Sequence, residues 1–226
     1  MRLSIIIPVL DEAERIGGLL AALQAWREQG VEVIVADGGS RDGTPGLCVG
    51  LADQVIASAR GRAAQMNAGA ATSHGDVLFF LHADTMPPAD APTAIAAAIA
   101  GGADWGRFDV RIDGTHPLLR VVERMMNWRS RLTGIATGDQ AIFVRRATFD
   151  AVGGYPAIPL MEDIRLSSTL RCVSSPACLR EQVYTSGRRW ESHGVVPTIL
   201  LMWTLRLAFF CGADPVRLAR RYGCGP

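Results

Sequence analysis

The sequence predicts an α/β protein in which a mostly parallel central sheet carries helices on both of its faces. The first observation is a series of short apolar runs at residues 3–8, 31–36, 54–58 and 77–81. Such runs, without polar alternation, are typical of strands that are buried on both faces. The second observation is that segments of helical character separate these runs, which is the pattern of repeated strand–helix–strand units.

The first helix has clear helical periodicity. Its apolar side chains recur at helical spacing, at Ile16, Leu19, Leu20, Leu23 and Trp26. Asp11 or Glu12 can cap its N-terminus, and Gly30 ends it after about Gln29. The preceding strand is expected to stop at Pro8, because proline lacks the N–H that a strand interior needs.

The later elements continue the alternation. The pattern predicts a helix over 89–101, a strand over 103–112, a helix over 118–132, a turn that enters a strand over 137–146, and a helix that begins at Glu162. One domain with a substantial core accounts for these elements in a chain of 226 residues.

Composition limits the class of protein. The formal net charge of +1 provides no general attraction to nucleic acid, so no nucleic-acid partner is predicted. The sequence opens on a strand without a signal peptide, and its five cysteines have no zinc-like spacing. We therefore expect reduced thiols in a cytoplasmic protein. The cysteines are Cys48, Cys172, Cys178, Cys211 and Cys224.

Acidic residues follow several of the predicted strands. The fourth strand ends in His82-Ala83-Asp84, where two side chains spaced two apart would point to the same side of an extended chain. That pair suits a divalent cation that carries a phosphate, with Asp84 as the oxygen ligand. The alternative is a strand-capping aspartate beside a loop histidine.

Further acids accompany this pair. Asp37 ends the second strand and Asp139 lies in the turn at 137–141, while Glu162 and Asp163 open a helix, where the helix dipole alone would favour them. Acids gathered at one edge of a sheet repel each other unless a cation or ligand offsets them. The sequence therefore predicts a ligand site at this edge, where open α/β sheets bind ligands.

Taken in order, these residues resemble the family 2 glycosyltransferases, which have the GT-A nucleotide-diphospho-sugar transferase fold. The matching segments are residues 5–12, residues 35–44, the strand end at Asp84 and the pair at 162–163. The similarity covers about residues 1–190, and the chain also resembles a compact bacterial subgroup of stand-alone enzymes, some of which are labelled arsenosugar-biosynthesis transferases.

The resemblance implies a nucleotide-diphosphate sugar donor. It places Glu12 near the ribose, Asp37 against the base, which is usually uracil, and Arg60 or Arg62 on the phosphates. The full set of implied nucleotide-binding residues is Pro8, Asp11, Glu12, Asp37, Gly38, Arg60 and Arg62.

The resemblance also implies a divalent cation, Mn²⁺ or Mg²⁺, that bridges the diphosphate. Asp84 would bind it. The family motif usually has aspartate at both ends, whereas this chain has His82 at the first position, so the preference for Mg²⁺ is less secure. A late histidine, His193, is a further metal candidate.

For catalysis, the resemblance implies a single displacement that inverts the anomeric configuration. Asp163 would be the general base that takes the proton of the acceptor hydroxyl, with Glu162 as the competing candidate. The residues implied on the acceptor side are Asp139, Gln140, Arg189 and Trp190. Only the Arg-Trp end of the motif of processive synthases is present, which indicates a single-transfer enzyme.

The C-terminal part of the chain is apolar and then basic. Residues 1–194 are assigned to the transferase domain and residues 195–226 to a helical extension of that domain. The apolar run over 195–211 is too short to span a membrane and contains Arg206. Together with the arginines of 215–221 it suits peripheral attachment to the inner face of the membrane, or self-association.

Two alternative functions remain at this point. A dinucleotide- or adenosyl-dependent α/β enzyme would also use Asp37, but the first strand is not followed by the glycine-rich phosphate turn of such enzymes. A non-catalytic nucleotide-sugar-binding module is the second alternative, although it would need neither Asp84 nor the acidic pair at 162–163.

Overall fold

The computed structural model describes residues 1–223 and contains one sheet of eight strands. The strands are β1 (Leu3–Val9), β2 (Glu32–Asp37), β3 (Gln54–Ala57), β4 (Val77–Phe80), β5 (Thr85–Met86), β6 (Trp105–Ile112), β7 (Ile142–Arg145) and β8 (Ala177–Thr185). Their order in the sheet is β3-β2-β1-β4-β7-β6-β8-β5.

Ten helices surround this sheet within the described residues. They are α1 (Ala13–Glu28), α2 (Thr44–Cys48), α3 (Arg62–Thr72), α4 (Ala91–Ala100), α5 (Pro117–Thr133), α6 (Arg146–Ala151), α7 (Glu162–Val173), α8 (Arg188–His193), α9 (Val195–Phe210) and α10 (Pro215–Tyr222). A short 3₁₀ turn, Gly138–Gln140, precedes β7.

The sheet is parallel in its N-terminal half and mixed beyond β4. Strands β3, β2, β1 and β4 are all parallel neighbours. β7 is antiparallel to both β4 and β6, and β5 is antiparallel to β8, whereas β6 and β8 are parallel. The predicted α/β class is confirmed, and because β7 is antiparallel, its beginning lies at the same edge as the end of β4.

Alternate side chains of each central strand face different helices. In β1, Ile5 and Ile7 pack in one apolar cluster with α1 and α4. Ile6 packs in a second cluster with α3, α6 and α7. This period of two places helices on both faces of the sheet, as the continuous apolar runs predicted.

The prediction that Pro8 stops the first strand is wrong. β1 continues through Pro8, which pairs with Ala36, to Val9. The strand can continue because the pairing between β1 and β4 ends at Ile6 and Phe80, and Leu81 donates to the carbonyl of Ile6. The backbone nitrogen of Pro8 is on the β4 side of the strand, as that of Ile6 is. The pairing with β4 has already ended at Ile6, so no neighbouring strand requires the N–H that Pro8 lacks.

The sequence reasoning missed several elements, including β5, β8, α6 and α8. β8 contains Arg180 and Glu181 in the middle of its apolar residues and has little buried surface, so it lacks the signal of a buried strand. Helix α6 is only six residues long and begins directly after β7.

The C-terminal helices pack on the domain near the start of α7. Leu205 of α9 and Leu218 of α10 share a buried cluster with Leu160, Met161 and Ile164. Within residues 1–223, no helix combines the length and apolar character needed to cross a membrane. Cys224, one of the five predicted thiols, lies outside the described residues; the other four cysteines are free.

Candidate active site

A cavity of about 640 Å³ lies at the edge of the sheet where β4 ends and β7 begins. Helices α5, α7 and α9 form most of its wall, and the start of α3 contributes Arg62. The ionisable side chains that line it are Arg62, His82, Arg129, Asp139, Glu162, Asp163, Arg206 and Tyr222, and Thr133 and Thr137 also line it. It therefore brings together four residues predicted for the metal, catalytic or acceptor sites, His82, Asp139, Glu162 and Asp163, with the predicted phosphate ligand Arg62.

Asp163 is held at the cavity by two backbone N–H groups. Its Oδ2 accepts from Gly138 at 2.7 Å and its Oδ1 accepts from Ile164 at 2.7 Å. Met161, just before α7, has a positive φ of 67°, a conformation that costs energy for a non-glycine residue. The bend at Met161 directs Asp163 toward the 3₁₀ turn Gly138–Gln140.

Glu162 has a different environment from Asp163. Its side chain is buried, and burial followed by repulsion from Asp163 raises its pKa, against the opposing charge of Arg62. Asp163 is only partly buried. Of the two acids, Asp163 is therefore the more accessible to a molecule in the cavity.

The 3₁₀ turn places Asp139 beside the end of β4. Its Oδ1 lies 3.7 Å from Nδ1 of His82. Gly138 packs against the His82 ring so closely that a Cβ at this position would collide with it. Burial acts to raise the pKa of Asp139, but the interaction with His82 and the charges of Arg62 and Arg206 lower it.

Asp11, Glu12 and Asp37 gather at the ends of β1 and β2. The loops that carry them are joined by hydrogen bonds: the N–H of Asp11 donates to Ser40 Oγ at 2.9 Å, and the N–H of Arg41 donates to Asp11 Oδ1 at 2.7 Å. The Asp37 carboxylate already accepts the N–H groups of the next turn, including that of Gly39 at 3.0 Å. This part of the predicted nucleotide site is therefore preorganised.

A buried glutamine supports the same loops. Gln65 Nε2 donates to the carbonyls of Val9 and Ala36 at 2.6 and 2.9 Å. Its side chain packs directly against Gly38, and a Cβ there would lie 3.0 Å from Gln65 Cδ. Gly38 is needed for this close approach, which is a structural reason for the glycine turn.

The two predicted arginines differ in position. Arg62 is the first residue of α3 and lines the cavity, where it combines with the positive end of the helix dipole. Glu162, Asp139 and Asp163 help to raise its pKa, outweighing the opposing effect of burial. Both arginines are partly open to solvent, but Arg60 does not line the cavity.

The predicted metal residues do not come together. Asp84 lines a separate cavity of about 500 Å³ that also contains Arg15 and Asp113, whereas His82 lines the larger one. The prediction that His82 and Asp84 point to the same side fails because β4 ends at Phe80. The chain then turns, and the N–H of Thr85 donates to the carbonyl of His82 at 3.1 Å, so the strand period no longer applies.

His193 is also apart from this region. It is exposed at the end of α8, where its Nδ1 lies 2.8 Å from Ser192 Oγ. In the part of the chain that is described, no three His, Cys, Asp or Glu side chains are arranged to hold a metal ion. The structure thus does not support a preformed centre that contains His82, Asp84 and His193.

Only some of the residues predicted on the acceptor side line the large cavity. Trp190 and Asp139 line the large cavity. Gln140 is fully buried and does not line the cavity; its Oε1 accepts from the N–H of Thr137 at 3.3 Å, so it supports the turn. Arg189 lies over the ring of Tyr222 at 3.6 Å from its centre and donates to its carbonyl, which attaches α8 to α10.

Sequence reasoning missed the walls of the cavity. Helices α5 and α9, about 80 residues apart in the chain, supply Arg129 and Arg206 together with a large apolar lining. The apolar side chains from these two helices are Val121, Val122, Met125, Met126, Trp128, Leu132, Ile199, Met202 and Trp203. The only signal in the sequence was Arg206 within an apolar run, which is costly unless the arginine has a role.

Comparisons with known proteins agree with this architecture. The chain resembles Staphylococcus aureus TarS 1–349 in complex with UDP-GlcNAc, with a TM-score of 0.66 and 18% identity over 82% of this chain and 58% of that one. It resembles the mannosyltransferase PcManGT from Pyrobaculum calidifontis, in complex with GDP-Man and Mn²⁺, with a TM-score of 0.62 and 19% identity over 81% and 56% of the two chains.

A third similar structure is the Mycobacterium tuberculosis glucosyl-3-phosphoglycerate synthase with Mn²⁺, UDP and glucosyl-3-phosphoglycerate. Its TM-score is 0.59, with 17% identity over 82% of this chain and 70% of that one. The chain thus spans a little over half of the TarS fragment and of PcManGT. No curated protein matches the sequence significantly.

These likenesses define the class of protein by fold: it has the GT-A fold of glycosyltransferases. The model of the family described as glycosyl transferase family 2 matches residues 4–150, which is more than half of the chain. The chain therefore belongs to glycosyl transferase family 2. The family and the fold predicted from the sequence are confirmed.

Proposed function

We propose that the protein transfers a sugar from a nucleoside-diphosphate donor, most simply a UDP-sugar, to a hydroxyl of an acceptor, with inversion at the anomeric carbon. The observation that carries the proposal is the position of Asp163, a partly accessible carboxylate that shares one cavity with Arg62 at the start of α3. A base and a phosphate-binding cation in one cavity are the two groups that this reaction needs.

The donor would lie across the ends of β1 and β2. Asp37 would accept a hydrogen bond from the base, and Asp11 and Glu12 would lie near the ribose, in loops that are already held together. Arg62 and the N–H groups at the start of α3 would bind the diphosphate, because a helix N-terminus favours anions. The similar structures whose names include UDP, UDP-GlcNAc or GDP-Man support a nucleotide-sugar donor.

Asp84 is the residue that fits a divalent cation. It lies in an open cavity with a second acid, Asp113, so the available ligands are oxygens. One or two carboxylates, with substrate phosphates completing the shell, are the usual arrangement for Mg²⁺. A bound Mn²⁺ or Mg²⁺ would neutralise charge on the leaving diphosphate as a Lewis acid. Mn²⁺ in two of the similar structures agrees with this role.

The reaction itself would be one displacement. The acceptor oxygen attacks the anomeric carbon, its proton moves to Asp163, and the bond to the β-phosphate oxygen breaks with its electron pair leaving on the nucleoside diphosphate. Burial and the neighbouring Asp163 raise the pKa of Glu162, which makes it the poorer base, and Asp163 is the more accessible of the two acids. The N–H groups of Gly138 and Ile164 would orient this carboxylate.

Nucleotide selectivity tests the proposal. UDP at 100 times its dissociation constant is expected to stabilise the protein by about 2.7 kcal/mol, with NAD and S-adenosylmethionine giving no shift in melting temperature. Stabilisation by NAD or S-adenosylmethionine instead would favour the alternative α/β enzyme. Binding of UDP-sugars without any transfer, in mass spectrometry of products formed with lysate acceptors, would favour the non-catalytic module.

We further propose that the C-terminal helices attach the protein to a membrane surface. Exposed apolar side chains follow one stripe of α9, namely Val196, Leu200, Trp203, Leu207 and Phe210. The exposed arginines of α10 lie nearby in the chain, at Arg217, Arg220 and Arg221. An apolar stripe beside basic residues suits an anionic lipid surface.

Liposome flotation measures this attachment. The protein is expected to float with vesicles that contain anionic lipid, and a variant with Leu200, Leu207 and Phe210 changed to serine should remain at the bottom while keeping its circular dichroism spectrum. Equal flotation of the variant would contradict the proposal. Concentration-dependent sedimentation that the same variant abolishes, without flotation of the parent, would indicate self-association.

A further inference from the structure

Two arginines from different helices line the large cavity, and each has buried nitrogen atoms without a hydrogen-bond partner among the described residues. Arg129 of α5 and Arg206 of α9 both line it. Among residues 1–223, Nε and Nη2 of Arg129 and Nε of Arg206 are buried and have no hydrogen-bond partner. Buried polar groups in proteins are nearly always paired, so three such atoms at one cavity indicate that a ligand supplies the acceptor.

The charges of these arginines are only partly offset by the protein. No carboxylate of the described residues forms an ion pair with either side chain. Burial, with repulsion from Arg206, lowers the pKa of Arg129 to about 10, and burial also lowers the pKa of Arg206. Two close, desolvated cations of this kind favour an anion between them.

The walls around the arginines are apolar. Trp128 of α5 is 59% exposed and Trp203 of α9 is 61% exposed, although both are large apolar side chains. Met125, Leu132 and Ile199 also line the cavity. Water is a poor occupant of a surface of this composition, whereas a hydrocarbon or aromatic group would remove it from solvent favourably.

Asp163, the proposed general base, interacts electrostatically with both arginines. Its charge raises the pKa of both Arg129 and Arg206, against the larger effect of burial, so the three side chains are electrostatic neighbours. Arg62, which would hold the donor, interacts with Asp163 as well. The two cations of α5 and α9 are thus beside the proposed base, on the helices that form the apolar walls.

We infer that the acceptor is an anionic amphiphile, whose phosphate or carboxylate group is bound by Arg129 and Arg206 and whose apolar part lies between α5 and α9. The inference rests on the proposed function, because it identifies the class of molecule that would present its hydroxyl to Asp163. The two arginines favour an anionic group in the ligand, and the exposed tryptophans favour an apolar group beside it.

Binding of decyl phosphate below its micelle concentration tests the inference. Intrinsic tryptophan fluorescence is the readout, because Trp128, Trp190 and Trp203 line the cavity. Decyl phosphate is expected to bind at least tenfold more tightly than decyl glucoside, decyltrimethylammonium or inorganic phosphate. The neutral and cationic chains test the charge, and inorganic phosphate tests the apolar part.

Variants assign the site to the two arginines. Arg206→Gln and Arg129→Gln should each weaken decyl phosphate binding about tenfold or more, since hydrogen bonds to charged groups are among the strong ones. Arg206→Lys should recover only part of the loss, because lysine cannot bind a phosphate through a planar fork. Arg180→Gln is the matched control, since Arg180 is an exposed arginine of β8 that lines neither cavity.

UDP affinity and melting temperature complete the test. Both are expected to be unchanged in Arg129→Gln and Arg206→Gln. The buried nitrogen atoms of these arginines form no hydrogen bond that the substitutions would remove. A loss of UDP affinity as large as the loss for decyl phosphate would overturn the inference and assign the arginines to the donor. A large fall in melting temperature, without loss of decyl phosphate affinity by the folded fraction, would also overturn it.

Three further outcomes separate this inference from other proposals. Equal affinity for decyl phosphate and decyl glucoside, or Arg206-dependent binding to anionic vesicles with no binding of monomeric decyl phosphate, would overturn it. If the charge discrimination is found but no sugar transfer occurs under any condition, the anion site stands and the proposed function fails.

Discussion

Asp163→Asn is expected to abolish most sugar transfer while leaving the fold and the UDP affinity nearly unchanged. Loss of a general base typically lowers the rate about 10² to 10⁴-fold, which corresponds to roughly 3 to 5 kcal/mol at the transition state. Asparagine has nearly the same shape as aspartate but cannot take the acceptor proton. The expected change is therefore in kcat, measured by initial rates at saturating donor.

The competing interpretation is that Asp163 only stabilises the start of α7. Its oxygens accept the N–H groups of Gly138 and Ile164, and asparagine keeps one oxygen acceptor, so the structural cost is about 1 kcal/mol. A melting curve measures this cost separately from turnover. A purely structural role predicts near-normal turnover and a slightly lower melting temperature.

Glu162→Gln is the matched control for the same experiment. Glu162 is adjacent and acidic, but it is buried and its pKa is raised by burial and by Asp163. Removing its charge should reduce transfer far less than Asp163→Asn. Normal turnover in Asp163→Asn together with a severe loss in Glu162→Gln would assign the base to Glu162.

Asp84→Ala is expected to uncouple UDP binding from the divalent cation. In the parent protein, Mn²⁺ should tighten UDP binding at least tenfold, which corresponds to about 1.4 kcal/mol. A carboxylate facing a diphosphate would otherwise repel it, so the cation is what allows Asp84 to contribute. Calorimetry of UDP with and without Mn²⁺ should show this benefit in the parent and its loss in the variant.

His82→Asn is the control that the geometry provides. His82 lines the other cavity and contacts Gly138, so this variant should retain the benefit from Mn²⁺. Equal enhancement by Mn²⁺ in the parent and in Asp84→Ala would refute the metal role of Asp84. Loss of the enhancement in His82→Asn with no change in Asp84→Ala would move that role to His82.

The sequence by itself determined the class of fold and much of the donor side. The apolar runs identified β1, β2, β3 and β4 as strands, because the interior of a parallel sheet demands continuous apolar residues. Acids at the ends of these strands identified the edge that carries the site, since parallel strands end together. Short motifs around Asp11, Asp37 and Asp84 then indicated the family, which the match to residues 4–150 confirmed.

Only the tertiary structure decided which side chains share a cavity. The antiparallel direction of β7 placed Asp139 beside His82, and the turn after β4 separated His82 from Asp84. The packing of the tertiary structure also buried Gln140, which the sequence had suggested as a residue near the acceptor. Strand direction and turn geometry depend on long-range pairing, which local periodicity does not record.

The acceptor side was decided almost entirely by packing between distant elements. Arg129 and Arg206 lie on helices that are far apart in the chain, and nothing near either residue indicates that they border one cavity. Periodicity reveals which face of a helix is apolar, but it does not reveal what that face contacts. The donor half of the site could therefore be predicted from local motifs, whereas the acceptor half required the packed arrangement of α5, α7 and α9.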